Sequence, residues 1–166
     1  MQSKVSSCLM LMGSHLFDVS YLNAYKNTMV FMAESMDLCT MFRFHKKRLV
    51  FQLSAMRHHA KHLKSLGFNV HYIKLEETNN KLFLELIQDF LYKFQIHQLI
   101  HFDIEDRPFK GVFERFCKQY DIQRKTLSSP LFLTSEDQFK EYLSKQKKPF
   151  MKTFYQQQRI RLNILI

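Results

Sequence analysis

Apolar residues repeat at helical spacing through the middle of the chain, and short continuous apolar runs lie on either side. Leu49, Leu53, Met56, Ala60 and Leu63 fall at steps of four and three, which places them on one helix face. Gln52, Arg57, His58, Lys61 and Lys64 lie off that stripe and are expected to face water. Gly67 stands where a glycine ends a helix, and residues 69–75 follow as a strand rich in β-branched and aromatic side chains. Helix, glycine and strand make half of a βαβ unit.

The flanks extend this pattern. Residues 1–7 read as a disordered or partly ordered lead-in and residues 5–12 as a first strand, followed by a turn at Gly13-Ser14-His15. Residues 28–32 form a second predicted strand. Residues 36–44 connect it to the long helix and are expected to pack beneath it. A helix over 80–94 carries Leu82, Phe83, Leu86, Ile87, Phe90, Leu91 and Phe94 on a broad apolar face. A fourth strand spans 98–102, and Asp106 before Arg107-Pro108 reads as a helix cap. Phe109, Val112, Phe113 and Phe116 form the inner face of that helix, and residues 122–127 give a fifth strand. Ser135 with Gln138 fits a capping box, with Phe139 and Leu143 inward. Residues 145–149 are a charged linker ended by Pro149, and a last helix covers 150–166. The alternation predicts an α/β fold: a Rossmann-like three-layer sandwich with a mainly parallel five-stranded sheet and helices on both faces. The connection between the first two strands is the least defined part.

Composition narrows this picture. With 166 residues, 46% hydrophobic and 17 Phe, the chain can fill one core. The expected division is residues 1–147 as the α/β domain and 148–166 as a linker helix. No apolar run reaches the roughly 18–20 residues of a membrane span, and no signal-peptide pattern opens the chain, so no membrane association and a cytoplasmic location are expected. Cys8, Cys39 and Cys117 are far apart, without C-x-x-C, and read as three reduced thiols. The net charge of +10 is partly clustered at 45–48, 145–148 and 159–161. Such clusters suit a polyanion or simply solvated helix faces. A nucleic-acid-binding module built on charge alone would bind weakly, lose binding as salt rises, and show no preference for damaged DNA.

Candidate chemistry is sparse. G-x-G-x-x-G and the P-loop are both absent, so classical NAD or ATP binding is not expected. His58 and His62 lie one turn apart, but H-E-x-x-H and a third ligand are missing, so no metal site is expected. His15, His71, His97 and His101 are isolated near strand ends. No G-x-S-x-G and no oriented Cys–His pair supports nucleophilic catalysis. Asp103, Glu105 and Asp106 read better as a helix start than as an acid–base pair. Gly13 follows the first strand, where α/β domains bring backbone close to a ligand. Glu34 ends the second strand. It is either a ligand contact above the carboxyl edge of the sheet, or an exposed loop carboxylate or helix cap.

LVFQLSAMRHHAKHLKSLGFNVHYIKL, residues 49–75, resembles the N-terminal domain of photolyase-related proteins, the iron–sulfur bacterial cryptochrome and photolyase group. MKTFYQQQRIRLNILI, residues 151–166, is similar to that family's M-x-x-F-Y-x-x-x-R helix. Glu34 and Ser35 match a V-x-x-x-E-S element. Gly13-Ser14-His15-Leu16 keeps the glycine and leucine of a G-D-Q-L-like turn but not its acid and amide. The resemblance implies the antenna-type N-terminal domain of a photolyase/cryptochrome-related flavoprotein in light-dependent DNA repair or blue-light sensing. It implies a lumazine-type antenna chromophore here, with Gly13, Ser14, His15, Glu34 and Met36 forming its pocket by motif position. FAD and a 4Fe-4S cluster would belong to a helical C-terminal domain that packs on this one and engages damaged DNA, and none of the three cysteines matches a cluster ligand. The chain ends on an apolar run and is expected to be a fragment, inactive alone. The alternative is a non-enzymatic module, derived from the same fold, that binds a nucleotide-like ligand or a partner.

Overall fold

Five strands pair in parallel in the order β3-β2-β1-β4-β5 in the computed structural model, which describes residues 6–165. The strands are β1 (Ser7–Met10), β2 (Met29–Ala33), β3 (Val70–Ile73), β4 (Gln98–Phe102) and β5 (Gln123–Leu127). The helices are α1 (Met36–Thr40), α2 (Lys46–Ser65), α3 (Phe83–Phe94), α4 (Arg107–Gln119), α5 (Glu136–Ser144) and α6 (Met151–Leu162). Most of the expected lead-in, and Val5 of the expected first strand, lie outside the described residues. Among the described residues no helix is long and apolar enough to cross a membrane. The chain divides into two compact units, the first ending at Leu127 and the second starting at Ser128.

In the first unit β1 is central, and Cys8, Leu9 and Met10 are fully buried. Leu9 pairs with Val30 on one side and Ile100 on the other. Alternate residues point to opposite faces of the sheet, so it has two cores. Cys8, Met10, Phe31 and Leu99 meet α3 and α4 through Phe83, Ile87, Phe90 and Phe113. Leu9, Val30, Met32 and Ile100 meet α2 through Met56, Ala60 and Leu63. This is the expected sandwich with helices on both faces.

Local sequence explains most boundaries. Gly67 has φ +85°, and the N–H groups of Gly67 and Phe68 donate to Lys64 O and Leu63 O, closing α2 as a Schellman motif over buried Phe68. Asp106 caps α4 by accepting from Phe109 N at 2.9 Å. α3 starts at Phe83, later than expected, because Asn79 and Asn80 are left-handed (φ 51° and 59°) and cannot continue a helix. Two 3-10 turns, Val19–Tyr21 and Asn23–Tyr25, join β1 to β2 around buried Leu22.

Residues 36–44 do not pack beneath α2 as expected. Leu38 joins the core, whereas Met36, Met41 and Phe42 are exposed. In the second unit Ser135 and Gln138 form the expected capping box. The residue buried from α5 is Tyr142, while Phe139 is partly exposed. The Tyr142 hydroxyl donates to Phe150 O at 2.8 Å, and its ring lies 5.0 Å from that of Phe154. These contacts bind α5 to α6, so the 145–149 linker lies inside the second unit.

Candidate functional site

The strand order reverses between β1 and β4: the chain runs outward from β1 to β3, then returns beside β1. Parallel α/β sheets bind ligands at the carboxyl edge beside such a reversal. A cavity of about 270 Å³ lies there, lined by the segments after β1 and β2, by α1 and α2, and by the starts of α3 and α4. Its walls are mostly apolar, with Met12, Leu38, Leu49, Leu53, Phe83 and Phe109 among them. Ser14, Arg48 and Gln52 bring polar groups to it. The Arg48 guanidinium stands 4.7 Å from the Phe44 ring centroid. This combination suits a small, flat heterocycle.

Gly13 lines the cavity and also lets α2 approach. Gln52 Nε2 donates to Gly13 O at 2.5 Å, and a Cβ on Gly13 would lie 3.1 Å from that nitrogen and 3.3 Å from Met56 Sδ. Gln52 was expected to face water; it is half-buried and holds the turn after β1.

Glu34 is neither an exposed carboxylate nor a cap. It is 1% exposed and accepts four hydrogen bonds. Arg57 Nε and Tyr72 Oη donate to Oε1, both at 2.6 Å, and Arg57 Nη2 and Leu75 N donate to Oε2, both at 2.8 Å. A carboxylate has about four acceptor positions, so the protein uses all of them. Burial pushes the carboxyl up, and the hydrogen bonds from Arg57, Tyr72 and Leu75 N–H outweigh it, leaving a net value below the usual one. Burial and the Glu34 bond push the Tyr72 hydroxyl up. Arg57 also reaches Glu76 at 3.1 Å, so its head is tied down although it lies off the apolar stripe. The cluster locks the end of β2, the middle of α2 and the end of β3 together.

His15 does not line the cavity. Its ring is fully buried, 5.6 Å from that of Phe17 and 5.8 Å from that of Phe102, and neither nitrogen has a hydrogen bond of normal geometry. Nε2 lies 3.7 Å from Glu105 Oε2. Burial lowers its pKa more than Glu105 raises it. Met36 is 50% exposed at the start of α1, outside the cavity lining. Of the five residues expected from motif position, the structure thus brings Gly13, Ser14 and Glu34 to one cavity, and Glu34 arrives with its acceptors engaged. Sequence reasoning missed Arg48, Gln52 and Tyr72. Their signal was present, since Gln52 and Tyr72 lie within the recognisable run of residues 49–75 and Arg48 immediately precedes it, one turn from Gln52 on α2.

A second, more polar cleft of about 400 Å³ lies between α4 and β5, lined by His101, Asp103, Lys110, Glu114, Arg124 and Thr126. Its charges are paired internally: Lys110 with Asp103 at 2.7 Å, and Arg124 with Glu114 at 3.5 Å. It therefore offers a ligand little net charge. Among the described residues no three His, Cys, Asp or Glu side chains come together as a metal site.

A (6-4) photolyase of Agrobacterium fabrum is 23% identical over 142 residues, which is 85% of this chain and 28% of that protein. The chain therefore spans less than a third of that relative's length. The family model described as deoxyribodipyrimidine photo-lyase-related protein matches residues 9–166, nearly the whole chain. The chain belongs to the deoxyribodipyrimidine photo-lyase-related protein family.

Proposed function

We propose that this chain is the antenna-type N-terminal part of a photolyase/cryptochrome-related flavoprotein, and that its cavity holds a lumazine-type heterocycle. The observation carrying this reading is an apolar cavity at the carboxyl edge of β1 and β2, with Ser14, Arg48 and Gln52 as its polar contacts. At about 270 Å³ it falls just below the usual span of small-molecule sites, roughly 300–1,000 Å³, which favours a two-ring system over a dinucleotide such as FAD. When bound, such a pigment absorbs light and passes the excitation to a flavin. The protein's part is positional: the Gly13–Gln52 bond fixes the turn after β1, and the Glu34 cluster fixes the floor between β2 and α2. Glu34 then supports the site and leaves contact with the ligand to other residues.

FAD, a 4Fe-4S cluster and damaged-DNA recognition would reside in a further, helical part of a protein as long as the photolyase relative, with this chain inactive alone. A reducing, cytoplasmic setting accords with three cysteines that are all free of disulfides.

The test is an absorption and fluorescence titration of the purified chain with dimethylribityllumazine, with riboflavin and FAD as controls. Saturable binding of the lumazine alone is expected, abolished by Leu53→Trp, which fills the cavity. Binding that survives Leu53→Trp would move the site elsewhere. No binding by any of the three would leave the alternative, a non-enzymatic module derived from the photolyase fold.

A further inference from the structure

Residues 38–75 contain eight Lys and Arg and no Asp or Glu, so this stretch carries +8 of the chain's formal +10. Several cations elsewhere sit beside a carboxylate, as Lys81 does with Asp89, Lys140 with Glu136, and Lys145 with Glu141. α2 turns the unmatched charge outward. Lys47, Phe51, Ser54, His58 and Lys61 follow at steps of four, three, four and three, all exposed, on the face opposite Met56, Ala60 and Leu63. Lys46 and Lys64 flank this ridge. Among the described residues none of these four lysines forms an ion pair, whereas Arg57 is taken by Glu34 and Glu76. Phe51, in the ridge, is 74% exposed, and Val50 beside it 68%.

We propose that this face of α2 binds single-stranded nucleic acid, with the lysines on phosphates and Phe51 stacked on a base. The ridge from Lys47 to Lys61 is about 21 Å long, enough for a few nucleotides. Lysine is depleted in protein–protein interfaces, and two adjacent apolar residues among four lysines make a poor interface core. A charged strand with open base faces satisfies both features. An intact duplex offers Phe51 no stacking face unless the bases are pried apart. None of Lys46, Lys47, Phe51, Lys61 and Lys64 lines the pigment cavity, so this inference stands independently of the antenna reading.

The experiment is fluorescence anisotropy of the full chain with a labelled oligothymidylate, over a salt series. The variant Lys46→Ala/Lys47→Ala/Lys61→Ala/Lys64→Ala is expected to lose roughly tenfold or more in affinity at low salt. Its salt slope should flatten by up to about 3, from roughly 0.7 per phosphate contact on a single strand. A charge-matched control, Lys118→Ala/Lys147→Ala/Lys148→Ala/Lys152→Ala, should change affinity by less than about twofold. Phe51→Ala should weaken single-strand binding by about fivefold or more with the salt slope unchanged. Thermal unfolding would verify that each variant keeps its fold. Equal losses in the control, no effect of Phe51→Ala, or duplex binding as tight as single-strand binding would each overturn the proposal. So would poly-aspartate competing as strongly as the oligonucleotide at equal charge, which would point to an acidic protein instead.

Discussion

Replacing Arg57 with methionine keeps an unbranched apolar stem, though a shorter side chain, and removes both donors that reach Glu34. Glu34 then stays buried with bonds from Tyr72 and Leu75 N–H and no cation beside it. Leaving one member of a buried ion pair alone costs about 3–5 kcal/mol. The Arg57 side chain is 44% exposed, so water already screens part of the attraction, and the low end, about 3 kcal/mol, is expected. For a chain of this size that lowers Tm by roughly 6–12 °C. The pH dependence separates this cause from a packing defect. In the native protein the carboxyl sits below its ordinary 4.5, so its stabilisation is complete above pH 4.5 and lost as pH falls through the folded value. Without Arg57, burial dominates and raises the carboxyl's pKa. The variant's deficit is then relieved as pH falls through that raised value, so the gap to the native protein closes on acidification. Urea unfolding followed by circular dichroism, at about pH 7 and about pH 4, reads this directly. A gap below about 1 kcal/mol at neutral pH, or one unchanged in acid, would refute the account.

Other positions give further expectations. His15 and His101 are buried with pKa values lowered by burial, so their contribution is complete above pH 6.5 and lost as pH falls through their folded values. His15→Leu should flatten the stability loss between about pH 6.5 and 5 in the same unfolding assay; an unchanged slope would exclude His15 as a source. Gly13→Ala must displace Gln52 or Met56 and should cost about 1–2 kcal/mol, with lumazine affinity falling alongside. Ser135→Ala should cost about 1 kcal/mol, and amide exchange should show it confined to α5.

Features governed by neighbours in sequence were legible. The α2 stripe with its glycine stop, the Asp106 cap and the Ser135–Gln138 box each need only a few consecutive residues, and each appears as expected. The Glu34–Arg57 bond joins positions 23 apart, and only the placement of α2 over the end of β2 shows that an apparently solvent-facing arginine is an internal partner. The α3 start was misjudged because the left-handed Asn79 and Asn80 are invisible to an apolar period. Phe139 and Tyr142 are three apart on α5, so periodicity alone does not choose between them; the Phe150 carbonyl does, by accepting from the Tyr142 hydroxyl. Of the positions expected from the motifs, Gly13, Ser14 and Glu34 line the cavity, while Arg48 and Gln52 depend on which face of α2 overlooks it.

The order of the strands also constrains how the molecule is made. β1 pairs with β2 about twenty residues later, but its other neighbour, β4, lies about ninety residues further along. During synthesis the half-sheet of β1, β2 and β3 can form while one edge of β1 still lacks its partner. That edge belongs to a strand whose Cys8, Leu9 and Met10 are fully buried in the middle of the finished sheet, the kind of surface that recruits foreign strands. Closing so distant a contact is slow, so the interval before β4 emerges is when this protein is most open to aggregation, and when a chaperone would help it most.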